Sequence, residues 1–284
     1  MSENQVTTTK LQAGLSLVGL SRATYETCFQ IPELGICFDL GRNVSLSPVR
    51  KIFLTHTHTD HLRDILRIRN WENPPDLYLL PDYTESMSAF LNAANALTEN
   101  KSWLSKVEGG GVHLRVAYPG KEIGPLRLGN RRFVIRTISC THSAPCAGYA
   151  FTELRRKLKP ELVGKSSQEI ATIKQGGGEV TNAEEIPVFV YLGDTTTQVL
   201  DQNPWIFDFP QLIMECTFLN SSENERAVKT CHTCWDDLEP FVTRHQNTHF
   251  YLTHFSLRYS LSEVKTFFDL KNRSNVTSVG ISDE

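Results

Sequence analysis

The chain has 284 residues, 40% hydrophobic and 10% aromatic, enough apolar material for a sizeable core in one large or two small domains. Its 29 basic and 32 acidic residues give a formal net charge of −3, so it is not a generally basic nucleic-acid binder, and any such contact must come from a local patch. No run of about 18 apolar residues argues for a membrane span, the first ten residues lack the apolar core of a secretory signal, and seven cysteines without ladder spacing read as reduced thiols of a cytoplasmic protein.

Residues 15–20, 24–31 and 35–40 are short β-type runs parted by Gly, Pro and Glu-Thr breaks, which predicts antiparallel hairpins. Lys51-Ile52-Phe53-Leu54-Thr55 is an apolar run with a histidine cluster at its end, the pattern of a buried strand with chemistry at its C-terminal tip. Residues 61–70 have helical character, 77–80 read as a strand, and 84–97 as a helix with Met87, Phe90, Leu91, Ala94 and Leu97 near helical spacing. Strands are expected at 111–117, 126–128 and 132–138. The polar, charged stretch 153–185, broken by Gly176-Gly177-Gly178, is expected to be an inserted surface arm. Core strands are expected at 188–192, 212–215 and 250–253, with helices at 233–244 and 261–270. Strands alternating with helices in both halves predict an α/β architecture, and no sequence repeat is visible.

Four metal-ligand types fall within six residues: His56, His58, Asp60 and His61. On an extended segment the alternate residues His56 and His58 project to the same side, and Asp60 and His61 follow at the turn into a helix, where they can point back. Three imidazoles and a carboxylate packed together without a cation would leave polar groups badly satisfied. Imidazole and carboxylate donors suit zinc, and also manganese or iron.

This HxHxDH pattern is the signature of the metallo-β-lactamase superfamily, which the chain resembles over nearly its whole length. The resemblance implies an αβ/βα four-layer sandwich, here a single domain over 1–284 with 153–185 as a short protruding arm. It implies further ligands in chain order: His142 after strand 132–138, the bridging Asp194 after 188–192, and His254 after 250–253. One metal would sit on His56, His58 and His142, and the other on Asp60, His61 and His254. The expected cofactor is two Zn2+ per subunit, with Mn2+ an alternative. Two dications make a water-derived nucleophile available at neutral pH and neutralise charge on a phosphoryl group.

Other segments resemble the short form of tRNase Z, the endoribonuclease that removes 3′ trailers from precursor tRNA. They are Glu26-Thr27-Cys28 with Ile36 to Arg42, Ser139 to Tyr149, Gly193-Asp194-Thr195-Thr196, Met214-Glu215-Cys216-Thr217-Phe218, and His254-Phe255-Ser256-Leu257-Arg258-Tyr259. This second resemblance implies that Asp60 takes a proton from the attacking water as well as ligating. It pairs Glu215 with His232, which would protonate the departing 3′ oxygen, since a ribose alkoxide leaves poorly without an acid. It places a tRNA-gripping exosite where the arm lies, with Arg155, Arg156, Lys157 and Lys159, and Arg258 beyond the arm, as phosphate contacts, and adds Lys165 and Lys174 to the local positive charge. It also implies a homodimer in which one subunit's arm serves the other's site.

Two features depart from that pattern. Where the family continues with glycines after HxHxDH, this chain has Leu62-Arg63-Asp64, which reshapes the entrance. Cys231 and Cys234 flank His232 in a Cys-x-x-Cys spacing, with His245 and His249 the only loose candidates for completing a zinc site; two incidental thiols are the simpler reading. The competing function is another metallo-β-lactamase-fold hydrolase acting on a small ester or phosphodiester, which predicts a closed pocket with the arm folded over it. A binding protein that had lost catalysis is a third reading, against which the complete ligand set argues.

Overall fold

The computed structural model describes residues 6–42, 49–68, 73–102 and 112–281; residues 69–70 of the expected helical stretch and residue 111 of the expected strand lie outside them. The first half forms one seven-stranded sheet of β1 (Thr7–Lys10), β2 (Ser16–Arg22), β3 (Glu26–Ile31), β4 (Ile36–Phe38), β5 (Lys51–Phe53), β6 (Asp76–Leu79) and β7 (His113–Val116), paired in chain order. The second half forms another, of β8 (Glu122–Leu128), β9 (Arg131–Cys140), β10 (Cys146–Leu158), β11 (Thr181–Leu192), β12 (Gln211–Glu215), β13 (His249–Thr253) and β14 (Val276–Ser278). The two share one plan: β1 to β4 and β8 to β11 are antiparallel, and the remaining pairings are parallel. This internal repetition is one of topology, which explains why no sequence repeat is visible.

The two sheets meet face to face on an aromatic core. Phe38 stacks on Tyr191 with centroids 4.0 Å apart and meets Phe151 edge-on at 5.7 Å, and Phe53, Phe133, Tyr149 and Phe189 join the same cluster. Parallel strands need crossovers, and the helices that supply them cover the outer faces. They are α1 (Thr59–Leu62), α2 (Pro81–Thr98), α4 (Gln198–Gln202), α5 (Asn224–Thr230), α6 (Trp235–Arg244) and α7 (Leu261–Lys271), whereas α3 (Ser167–Gln175) lies between the antiparallel β10 and β11. Met87 and Leu91 of α2 pack on the first sheet, and Trp235, Leu238 and Val242 of α6 with Val264 of α7 pack on the second. The result is the expected four layers, helix–sheet–sheet–helix. The ends of α7 follow from local chemistry: Ser260 and Glu263 form a reciprocal capping box, and Asn272 closes the C-terminus in the left-handed region.

The expected helix over 61–70 is shorter, a single turn at α1 followed by a 3-10 turn, Ile65–Arg67. The arm, in turn, is more ordered than the polar composition of 153–185 suggested. β10 pairs with β9 only as far as Glu153, and β11 touches β12 only at Val190 and Tyr191. Beyond those points β10 and β11 pair with each other alone, from Leu154↔Glu185 to Leu158↔Thr181. A two-stranded ribbon therefore leaves the sheet and carries α3, itself started by a Ser166–Glu169 capping box. Among the described residues, no helix is long and apolar enough to cross a membrane.

Because Phe38 is wholly buried where both sheets touch, Phe38→Ala is expected to destabilise the chain by about 3–5 kcal/mol. Urea unfolding measures this, and a loss below about 1 kcal/mol would show that the sheets do not share this core.

Candidate metal centre

The seven residues expected to hold metal come from both halves and meet at one end of the sandwich. His56 and His58 follow β5, His142 follows β9, Asp194 follows β11 and His254 follows β13. One group of donor atoms comes from His56, His58, His142 and Asp194, and another from Asp60, His61 and His254; within each, all atoms lie within 4.8 Å of one another. Asp194 is 3% exposed and reaches both, with Oδ2 3.7 Å from His56 Nε2 and 3.5 Å from His254 Nε2, and Oδ1 3.4 Å from His61 Nε2.

The outward nitrogens of these imidazoles are already committed. His61 Nδ1 lies 2.8 Å from Asp39 Oδ2, and His142 Nδ1 donates to the carbonyl of Cys231 at 3.1 Å. His254 Nδ1 lies 3.1 Å from Thr217 Oγ1, a hydroxyl whose own proton goes to Glu215 Oε2 at 2.6 Å. His56 Nδ1 lies 3.0 Å from Thr55 Oγ1, whose proton goes likewise to Asp39. Each ring then donates outward and turns its other nitrogen inward as an acceptor. Inside, nitrogen faces nitrogen: His56 Nε2 to His58 Nδ1 is 3.1 Å, His58 Nδ1 to His142 Nε2 is 3.2 Å, and His61 Nε2 to His254 Nε2 is 3.3 Å. Acceptors converging on one another and on two carboxylates fit a divalent cation, which the set would hold through imidazole and carboxylate donors. At His61 Nε2, which faces Asp194 Oδ1, a proton can answer the same demand for positive charge. Burial opposes a charge on His61, yet Asp194 and Asp39 hold it well above its ordinary value. Burial, followed by the charge of His61, holds His56 well below it. Burial favours a neutral Asp194, but His254 and His61 outweigh that and keep it ionised.

Glu215 and His232 stand beside this cage. Glu215 ends β12 at 2% exposure, its Oε1 accepting from Thr195 N at 2.8 Å and its Oε2 from Thr217 N and Thr233 N at 3.2 and 3.1 Å. His232 Nδ1 lies 2.7 Å from Glu215 Oε1, and the ring is near-parallel to that of His254 at 5.4 Å. Burial lowers the affinity of His232 for a proton, but Glu215 more than offsets this and the pKa is pushed up to about 9. Asp194, His232 and His254 also lie close enough to hold an ion, but Nδ1 of His232 is taken up by Glu215.

Sequence reasoning missed Asp39 and Thr55 and did not give Thr217 a role. Asp39 is fully buried and sits in the left-handed region at φ 57; its visible signal is a carboxylate directly after the apolar run Ile36-Cys37-Phe38. Gly41 is also required, since a side-chain carbon there would run into the carbonyl of Asp60. The Cys-x-x-Cys spacing forms no further centre. Cys231 ends α5 in the left-handed region, and Cys234 Sγ faces the carbonyl of Asn220 at 3.4 Å. His245 stacks on Phe207 and His249 bonds Thr277.

The basic residues expected on the arm lie on the ribbon and not at the cage. Arg155, Arg156 and Lys157 are exposed on the ribbon. Arg155 is held 2.7 Å from Glu153, and Lys157 stands 3.9 Å from Glu184, so part of the charge expected to be free for phosphate is already paired. Arg258 is half exposed near the site, 3.6 Å from Glu223.

Among solved structures, a metallo-β-lactamase-fold protein from Bacillus subtilis, YhfI, superposes over 94% of this chain and 96% of its own, at a TM-score of 0.58 and 13% identity. The chain has the metallo-β-lactamase fold. Human tRNase Z, short form, matches at a TM-score of 0.53 and 16% identity, covering 98% of this chain and 97% of its own. In sequence, a chloroplastic tRNase Z of Arabidopsis thaliana is 29% identical over 277 residues, spanning 93% of this chain and 73% of the relative. A second Arabidopsis tRNase Z is 27% identical over 89% of each. No protein-family model matches the chain.

Asp39→Asn would keep the shape but weaken the hold on His61. It is expected to lower divalent-metal affinity by about 10–100-fold, read by calorimetric titration of chelator-treated protein. Unchanged affinity would remove Asp39 from the support of the site.

Proposed function

We propose that this chain is a tRNA 3′-processing endoribonuclease, which hydrolyses precursor tRNA at the base of the trailer and leaves a 3′ hydroxyl on the tRNA. The observation that carries this reading is the Glu215–His232 pair beside the cage, together with relatives named tRNase Z along nearly the whole chain. In this reading two zinc ions are bound per subunit, with manganese able to replace them, one by His56, His58 and His142 and the other by Asp60, His61 and His254, with Asp194 between. What such a pair supplies when bound is Lewis acidity, which acidifies water and offsets charge on a phosphoryl group.

The chain's own residues do the rest. Asp60, fixed by the backbone N–H of Thr24 at 2.8 Å, takes the proton of the attacking water. His232 holds one proton at Nδ1 against Glu215 and delivers the other from Nε2 to the 3′ oxygen as the phosphorus–oxygen bond breaks. Glu215, held by three backbone N–H groups, cannot turn away, and so fixes the ring as the carboxylate of a triad does.

The proposal extends to one domain over 1–284 with the arm over 153–185 as exosite, where Arg155, Arg156, Lys157 and Lys159 meet the tRNA backbone, Arg258 adding a contact near the cleavage site. β10 begins at Cys146, whose Sγ is 3.7 Å from His56, and runs 13 residues to Leu158, on the order of 40 Å at strand spacing. An arm so far from its own metal cage does not fold over it, which counts against the small-ester alternative. It favours a homodimer in which each arm grips tRNA for the partner's site. A cytoplasmic location is a separate proposal, since relatives are named as chloroplastic and nuclear.

His232→Ala is expected to slow cleavage of a labelled precursor tRNA by about 10²–10⁴-fold while metal content stays constant; His56→Ala loses both. Retention of full activity by His232→Ala would reject the assigned acid. Charge reversal at Arg156, Lys157 and Lys159 should weaken precursor binding and flatten its dependence on salt, by up to about 0.9 of a log–log slope unit for each phosphate that the arm no longer neutralises. An unchanged slope would dismiss the arm as exosite.

A further inference from the structure

We infer that the turn between β2 and β3, with Tyr25 at its tip, forms a binding subsite for one unpaired nucleobase flanking the scissile phosphate. This rests on the endoribonuclease reading above and adds to it a specific RNA contact. The turn is pinned to both sides of the cage: Thr24 N donates to Asp60, and Ala23 N donates to the carbonyl of Phe255, next to His254. Tyr25, one residue further, is 47% exposed. Its ring and Leu257, itself 53% exposed, line a cavity of about 290 Å³ together with Leu20, Arg22, Glu26 and Tyr259. That is the lower end of the size range for small-molecule sites, roughly 300–1,000 Å³, and suits one flat ring better than a strand or helix.

The departure from the family pattern after His61 builds this wall. The guanidinium of Arg63 lies over the Tyr25 ring at 5.5 Å, donates to the Tyr25 carbonyl at 3.0 Å, and pairs with Glu26 at 3.2 Å. Arg63 itself is not among the residues that line the cavity, so its part is to hold Tyr25 in place. Arg42 engages the other oxygen of Glu26 at 2.8 Å, so two cations offset the one carboxylate on the cavity wall. Arg22 donates to the carbonyls of Ser256 and Tyr259 and leaves a positive charge beside the cavity. An aromatic face, an apolar residue in the same small cavity and a local cation are what a base with its phosphate needs, and such stacking tolerates any base.

The test compares wild type, Tyr25→Ala and Tyr25→Phe on a 3′-extended precursor tRNA and on bis(2,2,2-trifluoroethyl) phosphate, a diester with no aromatic ring. Tyr25→Ala should lose about ten-fold more in kcat/KM on the precursor than on the diester, whereas Tyr25→Phe stays within about two-fold of wild type. Removing the base on one side of the cleavage site should reproduce the loss in wild type and add little in Tyr25→Ala. Equal losses on both substrates, or no loss on the precursor, would overturn the subsite while leaving the endoribonuclease intact. A wild-type protein that turns over the diester but leaves the precursor uncut would overturn both.

Discussion

A carboxylate at 3% exposure with five imidazole nitrogens within 4.0 Å cannot be stable on its own account. Asp194 is such a group, and enclosing it sets the conditions for the whole molecule. Burying a charge costs several kcal/mol unless it is paired and hydrogen-bonded. Here the compensation comes from both halves of the chain: His56 and His61 from the first sheet's crossover, His142 and His254 from the second sheet. Neither sheet can complete the cage, so the aromatic core between them and the site at their end depend on each other. A cation at the centre would bind the folded state far better than the unfolded chain and stabilise it accordingly.

Beneath the cage lie two hydrogen-bonded networks, one in each half of the chain. Asp39 accepts from Thr55 N and Oγ1 and faces His61. Glu215 accepts from Thr195 N, Thr217 and Thr233 N and holds His232. The two carboxylates play matched parts in the two sheets: Asp39 follows β4 and Glu215 ends β12, each taking backbone and threonine donors and presenting an oxygen to a histidine. Asp39 steadies His61 of the cage, whereas Glu215 steadies His232, the proposed proton donor. The same kind of arrangement, after the fourth strand of one sheet and at the end of the fifth strand of the other, would thus serve metal binding on one side and acid catalysis on the other. Thr217 joins the roles, since its hydroxyl donates to Glu215 and lies 3.1 Å from His254 and 3.3 Å from His232.

What could be read from the sequence follows from how local each signal is. The residues that gather at the strand tips were visible because an apolar run and the polar residue after it are neighbours in the chain, as with Phe53 and His56, or Leu192 and Asp194. The strands β3, β11, β12 and β13 were visible for the same reason. Asp39 was not, because its importance lies in a partner 22 residues away and in a backbone conformation that no side-chain pattern reports. The stretch 153–185 was read as a surface arm, but the strand pairing within it was not, because strands paired only with each other, with solvent on both faces, carry no alternation of polar and apolar residues. Arg155, Arg156 and Lys157 in a row read as a surface arm, although they are strand residues.

The placement of that ribbon constrains how the molecule can work. β10 is one continuous strand with a buried cysteine against His56 at one end and exposed arginines at the other. The strand has a register shift at Phe151/Thr152, but its pairing with β11 continues to Leu158, so paired strands and not a loop set the spacing between cage and arm. A rigid ligand gripped by the arm can meet a metal cage only if it is itself long enough to span the gap or if a second subunit brings its own cage near. A small diester could reach the cage without touching the ribbon, whereas a folded RNA with a helical arm is long enough to touch ribbon and cage together, whether the cage belongs to the same subunit or to a second one. Under the proposed function, the length of one strand therefore bears on the size of the substrate independently of any residue in the active site.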